Sequence, residues 1–166
     1  IKKLISTAGL LEFRIVANSV QHGEIIQAAT AQAEDPAKRR SKSVKQGDRE
    51  VGYWARVGRE TNEVKGGFRP LKVGVASHTI RNSATGELIQ VPPNLPSGTD
   101  YPLETWLKEQ RIQDIDVLMY AGDGYNVTGE NLGMVSRGYD ELASPCVHFN
   151  MKAAGAGLMG GLTGDN

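Results

Sequence analysis

Two runs decide the fold: Met134-Val135-Ser136-Arg137-Gly138-Tyr139 and Cys146-Val147-His148-Phe149-Asn150-Met151, joined by Asp140-Glu141-Leu142-Ala143-Ser144-Pro145. Successive side chains of a strand point to opposite faces, and two such runs across a short polar turn predict an antiparallel pair. On the second strand Val147, Phe149 and Met151 share one face, which is expected to enter the core. A helix over Ala153 to Leu162 follows directly, with Ala154, Leu158, Met159 and Leu162 at helical spacing. Strand, strand and helix in succession, without a parallel crossover, point to an α+β fold.

Working back toward the N-terminus, Asp116-Val117-Leu118-Met119-Tyr120 reads as an apolar strand. The turn-rich run Ala121 to Asn131 follows it. Residues 51 to 91 read as β-rich, with strands at Val51 to Val57, Leu71 to Ala76 and Glu87 to Val91. The turn Asn82-Ser83-Ala84-Thr85-Gly86 is expected to join the last two as a hairpin. Pro92 to Gly98 is a proline-broken loop, and a helix runs from about Pro102 to Gln110. Residues 20 to 33 form a helix that stops before Asp35-Pro36, because proline disfavours the α conformation just ahead of it. Leu11, Phe13 and Ile15 alternate with Glu12, Arg14 and Val16 in a strand over Leu10 to Ala17. A short helix from Lys2 to Ala8 closes at Gly9. The expected architecture is α+β, mostly antiparallel, with a few packing helices and a large inserted β-rich segment at about 21–115.

The 166 residues suffice for one domain with an insertion, and 19 Lys and Arg balance 19 Asp and Glu. A neutral chain has no overall field for nucleic acid, so no nucleic-acid partner is expected. No stretch approaches the ~20 apolar residues that span a bilayer, and Ile1 to Ile5 is too short for a signal-peptide core, so the chain is expected to be soluble. The single cysteine, Cys146, excludes an internal disulfide and a CxxC site. Lys38, Arg39, Arg40, Lys42 and Lys45 form the one concentrated positive run. It suits an anionic partner such as lipid headgroups or an acidic peptide, but a solvated loop is the expected reading of so short a run.

Three constellations resemble reactive sites. Gly155-Ala156-Gly157-Leu158-Met159-Gly160 is a literal GxGxxG, but no ribose-binding acid follows it, so small-residue helix packing is the expected role. Cys146, His148 and Asn150 carry thiol-protease residue types. Positions two apart on a strand lie ~6.6 Å apart and point in parallel, which argues against a catalytic group. His22, His78 and His148 fall in no metal-ligand spacing. Asp123, Asn126 and Glu130 lack the repeated acids of a calcium loop and predict a capped turn; Asn126-Val127-Thr128 matches a glycosylation acceptor by pattern alone. No catalytic residue, cofactor or metal is expected.

Two separated blocks, Leu11-Glu12-Phe13-Arg14-Ile15-Val16 and Val127-Thr128-Gly129 through Pro145 to Met151, Gly155-Ala156, Met159, Leu162-Thr163 and Asn166, carry a resemblance. Together they resemble the first large extracytoplasmic domain of SecD, a membrane subunit of the bacterial protein-export machinery. Met159 stands where that family commonly has phenylalanine, and the segment between is longer than in typical members. The family continues into a further strand, which predicts an edge open to pairing. The resemblance implies a periplasm-facing domain whose parent sits in the inner membrane with SecF and SecYEG. It would assist unfolded preproteins, driven by a proton gradient through residues elsewhere. The rival expectation is a free-standing nucleotide-binding or thiol-dependent enzyme using the glycine-rich tail or the Cys146 and His148 strand.

Overall fold

A computed structural model describes residues 12–58, 78–92, 100–122, 124, 127–141 and 143–164. The helix read at Lys2 to Ala8, the strand at Leu71 to Ala76, most of the loop Pro92 to Gly98, and Leu11, Asp123, Asn126 and Asn166 lie outside the described residues. The chain divides into two compact units, residues 16–122 and the pair of segments 1–15 and 123–166. The fold is α+β, and every strand pairing within the described residues is antiparallel.

In the 16–122 unit, β2 (Ser43–Gln46), β3 (Arg49–Arg56), β4 (Ile80–Asn82), β5 (Leu88–Ile89) and β6 (Ile115–Tyr120) form one sheet in the order β2-β3-β6-β4-β5. Strand β6 is central and apolar because both its faces are covered. Ile115 and Val117 pack with Ile80, Leu103 and Leu107, which brings helix α2 (Asp100–Glu109) onto one face. Leu118 packs with Trp54, Val44, Ile25 and Ala29, which brings helix α1 (Gly23–Glu34) onto the other. The period of two along β6 thus sends alternate residues to two helices.

Several boundaries differ from the sequence reading. The run at Leu10 to Ala17 is not one strand: β1 covers only Glu12–Phe13, while Val16 bridges Met119. Its alternation serves two different pairings, which a single periodic run cannot reveal. The turn at 82–86 does close a hairpin, with Ile80–Asn82 as the strand before it and Leu88–Ile89 after it. Gly86 has φ +78°, and a Cβ there would collide with the Arg39 carbonyl, so glycine fits that turn for both reasons.

Across the β4–β6 ladder a charged pair lies where apolar residues are usual. Arg81 is 3 % and Asp116 7 % exposed. Arg81 Nε donates to Asp116 Oδ2 at 2.9 Å, and its NH1 donates to the carbonyls of Arg39 and Ser41, each at 2.8 Å. The guanidinium lies 4.5 Å from the centre of the Trp54 ring, and the Ser83 hydroxyl donates to Asp116 Oδ1. Removing one partner strands a buried charge, which typically costs about 3–5 kcal/mol. Asp116→Leu is therefore expected to lower the urea midpoint sharply, while Arg81→Met with Asp116→Leu together loses less than either single change. A double-mutant cycle by urea unfolding checks both.

Two histidines flank Asn18. The Asn18 N–H donates to His22 Nδ1 at 3.2 Å, Asn18 bridges His78, and the His22 ring lies 4.8 Å from that of Tyr120. Burial lowers both imidazoles below their ordinary 6.5. Their folded values lie below the unfolded ones, so the unfolded chain binds more protons in that window. Stability is full above the unfolded value and declines as pH falls through it toward the folded values. Protonated Nδ1 also cannot accept from Asn18. The thermal midpoint is expected to fall between about pH 7.5 and 5.5, and His22→Gln, which keeps an acceptor, to remove part of that fall.

Candidate functional site

The unit of 1–15 and 123–166 is built around a two-stranded hairpin, β8 (Leu132–Tyr139) and β9 (Pro145–Met151). Its turn is tied by Asp140: the Ala143 N–H donates to the Asp140 carbonyl at 3.0 Å, and the Ser144 N–H to Asp140 Oδ1 at 2.8 Å. Register pairs Val135 with Phe149, Arg137 with Val147 and Tyr139 with Pro145 on one face. Ser136 opposite His148 and Gly138 opposite Cys146 occupy the other.

The first face was expected to be core, and it is not. Val147 is 61 %, Tyr139 70 %, Val135 55 % and Phe149 42 % exposed. Val147, Phe149 and Met151 do share a face, and among the described residues the aromatic contact across it is from Phe13, whose ring centre is 6.1 Å from that of Phe149. Helix α3 (Ala153–Gly164) follows β9 and carries Leu158, Met159 and Leu162, of which Leu162 is buried, yet Val147 and Phe149 stay exposed. Among the described residues neither strand of the hairpin has a second neighbour, so both outer edges carry unpaired backbone groups. The sequence signal for this surface is the presence of Arg137 among the apolar residues of the two strands.

Apart from Val16, the residues carrying the resemblance belong to this unit. Strand β1 pairs with β7 (Val127–Thr128), with Glu12 opposite Thr128 and Phe13 opposite Val127. Arg14 Nε lies 3.3 Å from Glu12 Oε2. Thr128 caps the 3-10 turn Gly129–Asn131, and its own N–H donates to Asn131 Oδ1 at 2.8 Å, so Glu130, alone of the three residues read as a capped turn, is described and lies in one. Leu162 is buried, and the Thr163 hydroxyl donates to the Met159 carbonyl at 2.9 Å.

Gly155 opens the glycine-rich helix against this turn. A Cβ there would lie 2.6 Å from Asn131 Cβ and 2.9 Å from its carbonyl, whereas Gly157 and Gly160 face open space. The motif follows an antiparallel hairpin rather than the parallel strand of a dinucleotide site. Cys146 and His148 depart from the expectation that they point in parallel: Sγ lies 3.4 Å from Nε2. Gly138 explains the lean, since a Cβ at that position would overlap the His148 ring. Cys146 is half-buried and His148 exposed, so water reaches the pair.

The basic run is divided. Lys38 Nζ lies 3.3 Å from Asp35, and Arg39 NH1 3.4 Å from Glu87. The Ala37 N–H and Lys38 hold Asp35 below its ordinary value. Arg40, Lys42 and Lys45 are exposed, but Lys45 belongs to strand β2 rather than to a loop. Lys38 and Lys45 line an open groove of about 770 Å³ beside Glu24 and Asp35, a wall of mixed charge. No cluster of three metal-ligating side chains occurs among the described residues. Nor is any described helix long and apolar enough to cross a membrane.

No family model, curated protein or solved structure matches the chain. The site therefore stands on its own geometry. Gly155→Val is expected to push α3 off the Asn131 turn, since overpacking of this kind typically costs about 1–3 kcal/mol. Gly157→Ala, in open space, is expected to be neutral or slightly stabilising. Thermal unfolding of the two variants checks the difference.

Proposed function

We propose that the unit of residues 1–15 and 123–166 binds extended, unfolded polypeptide through the β8–β9 hairpin, as part of a SecD-like protein-export subunit. In that setting it faces the periplasm, its parent is embedded in the bacterial inner membrane beside SecF and SecYEG, and it assists preproteins emerging from the translocon. The observation that carries the reading is the exposed apolar face of Val135, Tyr139, Val147 and Phe149, on strands that pair with no third strand among the described residues.

An extended chain adds to such an edge by backbone hydrogen bonds that any sequence supplies, while alternate side chains rest on the apolar face. Each backbone bond contributes about 0.5–1.5 kcal/mol net, and each well-buried apolar side chain about 1.5–3 kcal/mol. Ordering the bound chain offsets much of this. The expected affinity is micromolar to millimolar, about −8 to −4 kcal/mol. Such weak, sequence-tolerant binding suits a step in which the preprotein must be released again.

Support for the export setting comes from the pairing of the two blocks that resemble SecD. They lie over a hundred positions apart in the sequence, yet Glu12 and Phe13 meet Thr128 and Val127. The proton-coupled chemistry belongs to membrane segments of the parent, and this unit is not proposed to be an enzyme. The anionic-partner role of Arg40, Lys42 and Lys45 adds nothing to this reading, because that run belongs to the 16–122 unit.

Fluorescence anisotropy with a labelled, export-competent unfolded polypeptide tests the proposal, with a folded protein and a labelled nucleotide as controls. Saturable binding of the unfolded chain alone is expected, weakened at least about tenfold by Val147→Asp, a loss of about 1.4 kcal/mol. Binding of the nucleotide, no binding, or equal binding by the variant contradicts it.

A further inference from the structure

The polar face of the hairpin carries a pair that polypeptide binding does not use. Cys146 and His148 sit two apart on β9 with Sγ and Nε2 3.4 Å apart. Zinc holds thiolate sulfur at about 2.3 Å and imidazole nitrogen at about 2.0–2.1 Å, which at the tetrahedral angle separates the two donors by about 3.5 Å. The pair already has the bite of two ligands on one ion. The ring reaches this position because Gly138, across the ladder from Cys146, leaves the space that the imidazole fills.

Two ligands do not complete a tetrahedral site, and no third His, Cys, Asp or Glu joins them among the described residues. The face around them is small and polar, with Ser136 and Gly138 on the facing strand and Asn150 beyond His148. Small side chains let a second hairpin approach closely. A two-fold axis through the ion would supply the same pair again, giving two sulfurs and two nitrogens from one self-complementary surface.

We propose that Cys146 and His148 form a half-site for a thiophilic divalent cation of the zinc class, completed by the same pair from a second copy of this chain. The inference rests on the geometry of the pair and stands or falls separately from polypeptide binding.

The test uses the whole chain with zinc chloride and a non-chelating phosphine reductant, read by light scattering on a sizing column and by metal content. Cobalt(II) in place of zinc reports sulfur ligation through its thiolate charge-transfer absorption. Mass doubling is expected at one zinc per two chains, with the cobalt band present and both lost in Cys146→Ser. Gly138→Ala keeps both ligands but displaces the imidazole, and is expected to weaken zinc-dependent pairing at least about tenfold, the scale at which ligand orientation matters. Far-UV circular dichroism equal to wild type shows that each variant is folded. Zinc held by a single chain, no effect of zinc on mass, or undiminished pairing in either variant overturns the proposal.

Discussion

The ion pair of Arg81 and Asp116 is the constraint on which the 16–122 unit depends. Two charges taken from water are tolerated only when their remaining donors and acceptors are satisfied. Here that condition recruits parts of the chain far apart in sequence: the carbonyls of Arg39 and Ser41, the Ser83 hydroxyl and the face of Trp54. Arg81 and Asp116 are also direct partners across the β4–β6 ladder, so a slip of one residue would send one of them to the opposite face. The pair thereby sets the register of the central strands and the path of the segment that carries the basic run. Arg39 offers its carbonyl to Arg81 and its side chain to Glu87. That segment is structural before it is a surface for anions.

Legibility from sequence followed the range of the interactions. Helix α1 stops where proline demands, and β6, β8 and β9 follow their local periodicity within one or two residues. What periodicity does not report is the partner. The alternation of Leu11, Phe13 and Ile15 with Glu12, Arg14 and Val16 looks like one strand, yet Phe13 pairs with Val127 and Val16 with Met119. Val147 and Phe149 read as core because alternation identifies a shared face, not what lies against it. Arg81 passed unremarked for the same reason: nothing near it in sequence shows that its acid is 35 positions away.

The two units place their apolar surface differently. The 16–122 unit sandwiches β6 between α1 and α2 and buries apolar residues on both sides of the sheet. The other unit leaves a hairpin with apolar side chains in water, and isolated two-stranded sheets are marginal without further packing. Its supports are local: α3 docked at Gly155, the capped turn at Thr128, and Phe13 against Phe149. Exposed apolar surface that costs stability is retained where something binds it. The same argument locates the cost of the Cys146 and His148 arrangement, since Gly138 weakens a strand interior that most other residues would strengthen.

The proposed binding of unfolded chains places them on the outer edges of β8 and β9, which pair with no third strand among the described residues. Amide hydrogen exchange, followed residue by residue with and without a saturating unfolded polypeptide, tests it most directly. The account predicts slowed exchange at outward-pointing amides of residues 132–139 or 145–151, with little change in β3 and β6. Slowing confined to the 16–122 unit, or none at saturation, would contradict it.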